Sequence, residues 1–136
     1  MISRVQFYQL MVAGLLAENF KNAERLFDMA LYELRTYTLY VGKMGEAVEL
    51  YQKYGFPALQ SGGHDDKLVG YFQGDTGVIN QIVHLWKFED DADRRAHWAA
   101  VFANKAFVED FAARFRPLVM NQEVKLLHAA PWGPHP

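Results

Sequence analysis

The sequence predicts the α+β class: a four-stranded antiparallel sheet with two helices on one face, preceded by an extra N-terminal helix. Three observations predict it. Apolar residues recur at strand spacing in four segments and at helical spacing in two segments between them. The order of those segments is β-α-β-β-α-β, and the breaks between them are rich in Gly, Pro, Asp and Asn. The chain has 136 residues, a one-domain length, and is 51% hydrophobic and 15% aromatic, enough for a core.

Composition also excludes function classes. The hydrophobic content is too high for a disordered role. The net charge is -2, with acids and bases mixed along the chain. No basic stripe marks a nucleic-acid surface. Cysteine is absent, which rules out disulfides, thiolate metal sites and Cys nucleophiles.

Residues 5 to 27 place Tyr8, Met11, Leu15, Leu16, Phe20, Ala23 and Phe27 at helical spacing. This segment, 1 to 28, reads as a helical extension. Two readings stay open for it: a docking or dimerisation helix, or a stretch upstream of a natural start at Met29. Its longest apolar run, Leu10 to Ala17, is too short to cross a bilayer. No clear small-x-small cleavage site follows, and Glu18 and Glu24 argue against a mitochondrial presequence. A cytoplasmic protein without a membrane span is the expectation.

The domain proper is expected over 29 to 130, with an irregular tail at 131 to 136. Strand one spans about Ala30 to Tyr40, rich in Tyr, Thr and Leu, and Gly42 breaks it. Helix one follows from about Lys43 to Tyr54 with Met44, Ala47, Val48, Tyr51 and Tyr54 as its buried stripe, and Gly55-Phe56-Pro57 is expected to end it. Gln60 to Asp66 reads as a polar loop. Strand two covers about Lys67 to Phe72, Gly74 to Gly77 turns the chain, and strand three covers Val78 to Phe88. Asp90 or Asp91 caps helix two, and acid-first pairs Asp90–Arg94 and Asp91–Arg95 are expected to support it. Asn104-Lys105 marks a break in that helix, Pro117 ends it, and strand four runs from about Met120 to His128. The whole is a ferredoxin-like βαββαβ arrangement.

Strands one and three carry the chemistry. Successive strand residues point to opposite faces, so Glu33, Arg35 and Tyr37 share one face of strand one. Asn80, Ile82, His84 and Trp86 share one face of strand three. An acid, a guanidinium, a phenol, an amide and an imidazole then converge. With helices on the other side, this face would be bare, and pairing two sheets face to face would cover it, giving a homodimer with a partly dry cavity.

Each candidate has a functional and a plain structural reading. His84 is either a proton-transfer base or a buried histidine satisfied by its neighbours. Arg35 either binds a substrate carboxylate or enolate, with Glu33 orienting it or acting as base, or the two form a buried ion pair that stabilises the barrel or the dimer. Tyr37 and Asn80 can hydrogen-bond a ligand oxygen, or fill out the network. Tyr71 and Trp86 can wall a small planar ligand, or pack in the core. Taken as a site, His84, Arg35, Tyr37 and Glu33 would be catalytic, and Asn80, Trp86 and Tyr71 would bind the substrate. His97 reads as a solvated helix residue. His64-Asp65-Asp66 lacks converging ligands, so no metal is expected there. No nucleophile elbow, phosphate loop or dinucleotide fingerprint is present, and no cofactor is expected.

These segments also resemble a known family. Glu33-Leu34-Arg35-Thr36-Tyr37 with Leu39, Leu68-Val69-Gly70-Tyr71-Phe72, and Gly77 followed by Asn80-Gln81 and Val83-His84-Leu85-Trp86 look like the NIPSNAP family. The likeness continues through Phe88, Asp90, Arg94 and Arg95 into Gln122 to Leu127. It implies a ferredoxin-like domain that pairs into a dimeric α/β barrel. It implies no reaction. Two functions stay open: binding or transforming a small organic molecule in the barrel cavity, by cofactor-independent proton transfer next to a carbonyl, or a non-catalytic protein-interaction role.

Overall fold

The computed structural model describes residues 3–27 and 30–136, the side chains of 19–27 apart. Met29 therefore lies outside the described residues. The elements are α1 (Arg4–Phe27), β1 (Leu31–Leu39), α2 (Met44–Leu50), α3 (Phe56–Ser61), β2 (Leu68–Gln73), β3 (Gln81–Phe88), α4 (Asp91–Ala103), α5 (Ala113–Phe115) and β4 (Val119–His128). The strands form one antiparallel sheet in the order β2-β3-β1-β4. This is the expected α+β, ferredoxin-like architecture. No described helix is long and apolar enough to cross a membrane.

Register confirms the strand phase. Glu33 lies opposite Trp86, Arg35 opposite His84, and Tyr37 opposite Ile82. Strand β3 starts at Gln81 rather than Val78, because Gly77 takes a left-handed φ of 76° and the residues after it complete the turn. A register shift between Leu68 and Gly70 interrupts β2. It turns Leu68 and Tyr71, three apart, toward the same face, where both pack on the core.

The face carrying these residues is not bare. It is the face the helices cover, which corrects the expectation of an inter-sheet cavity. Trp86 packs on Trp98 and His97 of α4, and Tyr37 on Phe115. The physical reason is charge pairing: α4 brings Arg94 onto Glu33, so a buried acid is tolerated under the helices. The uncovered face carries Leu34, Val83 and Leu85, half-buried, and Phe72, exposed.

Both helical connections contain a π-helical turn. After α2 the ladder widens over Tyr51–Gly55, where the Phe56 N–H reaches the Tyr51 carbonyl, and α3 continues past Pro57. The expected stop at Gly55-Phe56-Pro57 is thus a π turn. Widening the ladder re-pairs the backbone just ahead of a residue with no N–H. After α4, Asn104 breaks the helix as expected, with ψ at 108°, and a second π-helical segment spans Ala106–Ala112. The two π segments meet at Gly55, where an added Cβ would lie 2.8 Å from the Phe111 ring.

Asp90 caps α4, accepting from the Asp93 N–H at 2.7 Å. The Asp91–Arg95 pair forms as expected (2.6 Å), but Arg94 pairs with Asp91 (3.0 Å) rather than Asp90, which is committed to its cap. His97 is buried, not solvated, against Trp86, Phe88 and Trp98. Tyr54 is 38% exposed instead of buried, under the Arg114 guanidinium.

Candidate functional site

A cavity of about 350 Å³ lies between the sheet and the helices of one protomer. Arg35 and Tyr37 of β1, Tyr71 of β2 and His84 of β3 line its floor. Tyr51, Trp98, Phe107, Phe111 and Phe115 close it from the helical side, and Asn121 and Gln122 of β4 stand at its border. A volume of this size is at the lower end for small-molecule sites.

His84 is 1% exposed. Its Nδ1 accepts the Trp86 indole N–H at 2.6 Å. An indole nitrogen only donates, so Nδ1 holds a lone pair and the ring hydrogen sits on Nε2. Among the described residues that Nε2 has no partner. The ring stacks on Tyr71 (4.6 Å, 9°) and meets the edge of Tyr37 at 4.9 Å. Burial, reinforced by the nearby Arg35 charge, pushes the imidazole pKa down to about 3. At neutral pH His84 is an uncharged donor.

Glu33 is fully buried behind this floor. One oxygen, Oε2, accepts from Arg35 Nε at 3.0 Å, and the other, Oε1, accepts from Arg94 Nη1 at 2.8 Å. Arg94 also pairs with Asp91, so the two guanidiniums are met by two carboxylates. Arg35 lies over the Trp98 ring, 4.1 Å from its centroid, and its Nη1 donates to the Tyr37 hydroxyl oxygen at 3.1 Å. Tyr37 then has its own hydrogen to give a ligand. Burial raises the pKa of Tyr37, Tyr51 and Tyr71, so all three phenols stay protonated. The cavity is therefore lined largely by donors: the Arg35 and Arg116 guanidiniums, three phenol hydroxyls and an imidazole N–H, with the amides of Asn121 and Gln122 beside them.

Four of the seven residues singled out from sequence meet in the cavity: His84, Arg35, Tyr37 and Tyr71. Glu33 and Trp86 stand behind it, one orienting Arg35 and the other orienting His84. Asn80 is not in the lining; it precedes β3, and its carbonyl accepts the Leu39 N–H at 2.7 Å. Sequence reasoning missed Tyr51, which looked like an ordinary core position of a regular helix, and the aromatic roof on Trp98 and Phe111. Arg94 was placed on the helix surface, whereas it reaches Glu33. Among the described residues, no group of three or more His, Cys, Asp or Glu side chains is arranged to hold a metal.

The fold agrees with known proteins. The NIPSNAP family profile matches residues 32–134. Protein NipSnap homolog 3A of Homo sapiens is 30% identical over 122 residues, 89% of this chain and 48% of that protein. The chain spans about half the length of the curated relatives it matches. A NIPSNAP family protein of unknown function from Agrobacterium tumefaciens superposes with a TM-score of 0.71 at 32% identity, covering 78% of this chain and 93% of the other. A NIPSNAP-like domain protein from Burkholderia xenovorans gives 0.70 at 29% identity, over 79% and 90% of the two chains. With the profile covering most of its length, including every residue of the cavity floor, the chain belongs to the NIPSNAP family.

Proposed function

We propose that the protein binds a small organic molecule in the cavity beneath its helices and polarises a carbonyl of that molecule, without a cofactor. The observation that carries this reading is the buried, unpartnered Nε2–H of His84. A buried donor left without an acceptor costs about 1–3 kcal/mol, which a ligand oxygen recovers. Arg35 and the Tyr37 hydroxyl line the same cavity. Loss of a proton to water from the carbon beside the carbonyl would leave an enolate, its charge spread over these donors. His84 acts here as a neutral electrophile rather than the base expected from sequence, because its Nδ1 lone pair is engaged by Trp86.

The same reading pairs two protomers through the uncovered sheet face into an α/β barrel. Half-buried Leu34, Val83 and Leu85 beside exposed Phe72 support it, since a monomer rarely leaves such an apolar face in water. Native mass spectrometry of the protein as purified tests both parts. The expected result is a dimer retaining an organic ligand, with the ligand lost from a folded His84→Ala variant. Equal retention by that variant overturns the site, and a monomer overturns the barrel.

One observation favours a second reading, as a protein-interaction module. Along α1, Phe7, Leu10, Met11, Leu15 and Leu16 are all exposed. Deleting residues 1 to 28 separates the readings: loss of partner binding with ligand binding intact supports the module.

A further inference from the structure

The cavity has a neighbour. A second, more open groove of about 590 Å³ lies between α2 and the edge strand β2. Its walls are apolar: Val48, Phe56, Leu68, Phe72 and Ile82, with Gln52 and Gln73 as its amides. Two residues, Tyr51 and Tyr71, line both spaces. Their ring centroids are 5.2 Å apart at 57°, so the rings touch and form the partition.

The two sides of this partition differ in chemistry. The inner side offers donors and a guanidinium: His84, Arg35 and Tyr37. The outer side offers hydrocarbon. Tyr51 opens the π-helical turn Tyr51–Gly55, and this irregularity sets its ring into the wall. Joining the two spaces requires the Tyr51 ring to turn out of this partition.

We propose that the two spaces are one site for an amphiphilic organic acid, its carboxylate on Arg35, Tyr37 and His84 and its apolar tail between Tyr51 and Tyr71 in the outer groove. The inference rests on the reading that the inner cavity receives a carbonyl or carboxyl oxygen, and it names the class of ligand. The inner space alone is small, and its charged lining residues, Arg35 and Arg116, are both cations, which selects an acid over a neutral ketone. The groove takes the tail because burying apolar surface beside Phe56 and Leu68 is favourable in proportion to its area.

The test is calorimetric titration of the full chain with straight-chain carboxylates from hexanoate to dodecanoate, each below its micellar concentration. The association constant is expected to rise about threefold to fourfold per added methylene, then level off when the groove is full. Val48→Trp and Gln52→Trp fill the groove. Gln52 is an exposed helix position, so this variant folds even where the first does not. In either variant the gain per methylene should vanish while hexanoate binding stays unchanged. Arg35→Met should weaken all lengths by the same factor. Binding that ignores chain length in the unmodified protein overturns the tail assignment and leaves the inner site standing. A length dependence that survives both Trp variants also overturns it, by placing the tail elsewhere. Failure of every acid to bind overturns the inner site as well.

Discussion

Trp86 fixes the tautomer of His84: the indole N–H lies 2.6 Å from Nδ1, so the ring hydrogen is held on Nε2, on the ring that lines the cavity. Trp86 is itself fully buried and does not line the cavity, so it acts through His84 as a positioning residue. Trp86→Phe keeps an aromatic ring and removes the donor. The Nδ1 atom is then buried without a partner, which costs about 1–3 kcal/mol in stability. Nitrogen-15 NMR of the imidazole is expected to show the Nε2–H form alone in the unmodified protein and a mixture of tautomers in Trp86→Phe. A mixture in both would remove Trp86 from this role.

Acid should destabilise the fold in a defined window. The folded pKa of His84 is about 3 and that of His97 about 4, both depressed from 6.5, mainly by burial. Between the folded and unfolded values the unfolded chain holds the extra protons, so stability falls as pH drops from about 6.5 toward 3. Each such proton contributes a slope of up to about 1.4 kcal/mol per pH unit. Asp91 and Asp93, with pKa values lowered by their hydrogen bonds, act in the same direction at lower pH but are well solvated. His97 sits among Trp86, Phe88 and Trp98, and its Nε2 has no partner among the described residues. His97→Phe should therefore flatten the urea midpoint between pH 4 and 6.5 while leaving pH 8 nearly unchanged. An unchanged slope in this variant would place the acid sensitivity elsewhere.

Glu33 should be worth more than a surface acid. It is fully buried and joins Arg35 of β1 to Arg94 of α4. Glu33→Gln leaves Arg35 without its counter-charge and Arg94 with Asp91 alone, at a cost of about 3–5 kcal/mol. Arg94→Met alone removes one of the two cations and should cost less. The double variant should cost less than the sum, because the two residues share one interaction. Urea denaturation of the three proteins measures this, and strict additivity would mean that the pair is not coupled.

Alternation alone made the floor of the site legible. Placing Glu33, Arg35 and Tyr37 on one face with His84 and Trp86 needed only the two-residue period and the pairing of two recognisable strands. Which face the helices cover was misread, because charged side chains argued for an open face and the partner of Glu33, Arg94, lay 61 residues away. Tyr51 was hidden for a different reason. Its neighbours keep helical periodicity, and a π turn shows itself through backbone hydrogen bonds that periodicity does not encode. Asn80 fitted the alternation of β3 but fell in the turn that Gly77 starts, so its backbone rather than its side chain was used.

The meeting of the two π segments gives the last prediction. Gly55 has a φ of -69°, which any residue adopts, so its lack of a side chain is a matter of space. A Cβ there would lie 2.8 Å from two carbons of the Phe111 ring, and Phe111 is buried between Tyr51 and Phe115 on the cavity wall. Gly55→Ala should therefore destabilise the protein by about 1–3 kcal/mol through overpacking, even though alanine favours helix. Phe111→Leu, which removes the ring, should recover part of that loss in the double variant, so the two changes should be less than additive by urea denaturation. Because Phe111 also walls the cavity, Gly55→Ala should weaken ligand binding while Gly45→Ala, with nothing within 4 Å of its added Cβ, should leave it unchanged. If Gly55→Ala is neutral in both assays, the two helical segments have room to part, and the close approach at Gly55 does not set the shape of the site.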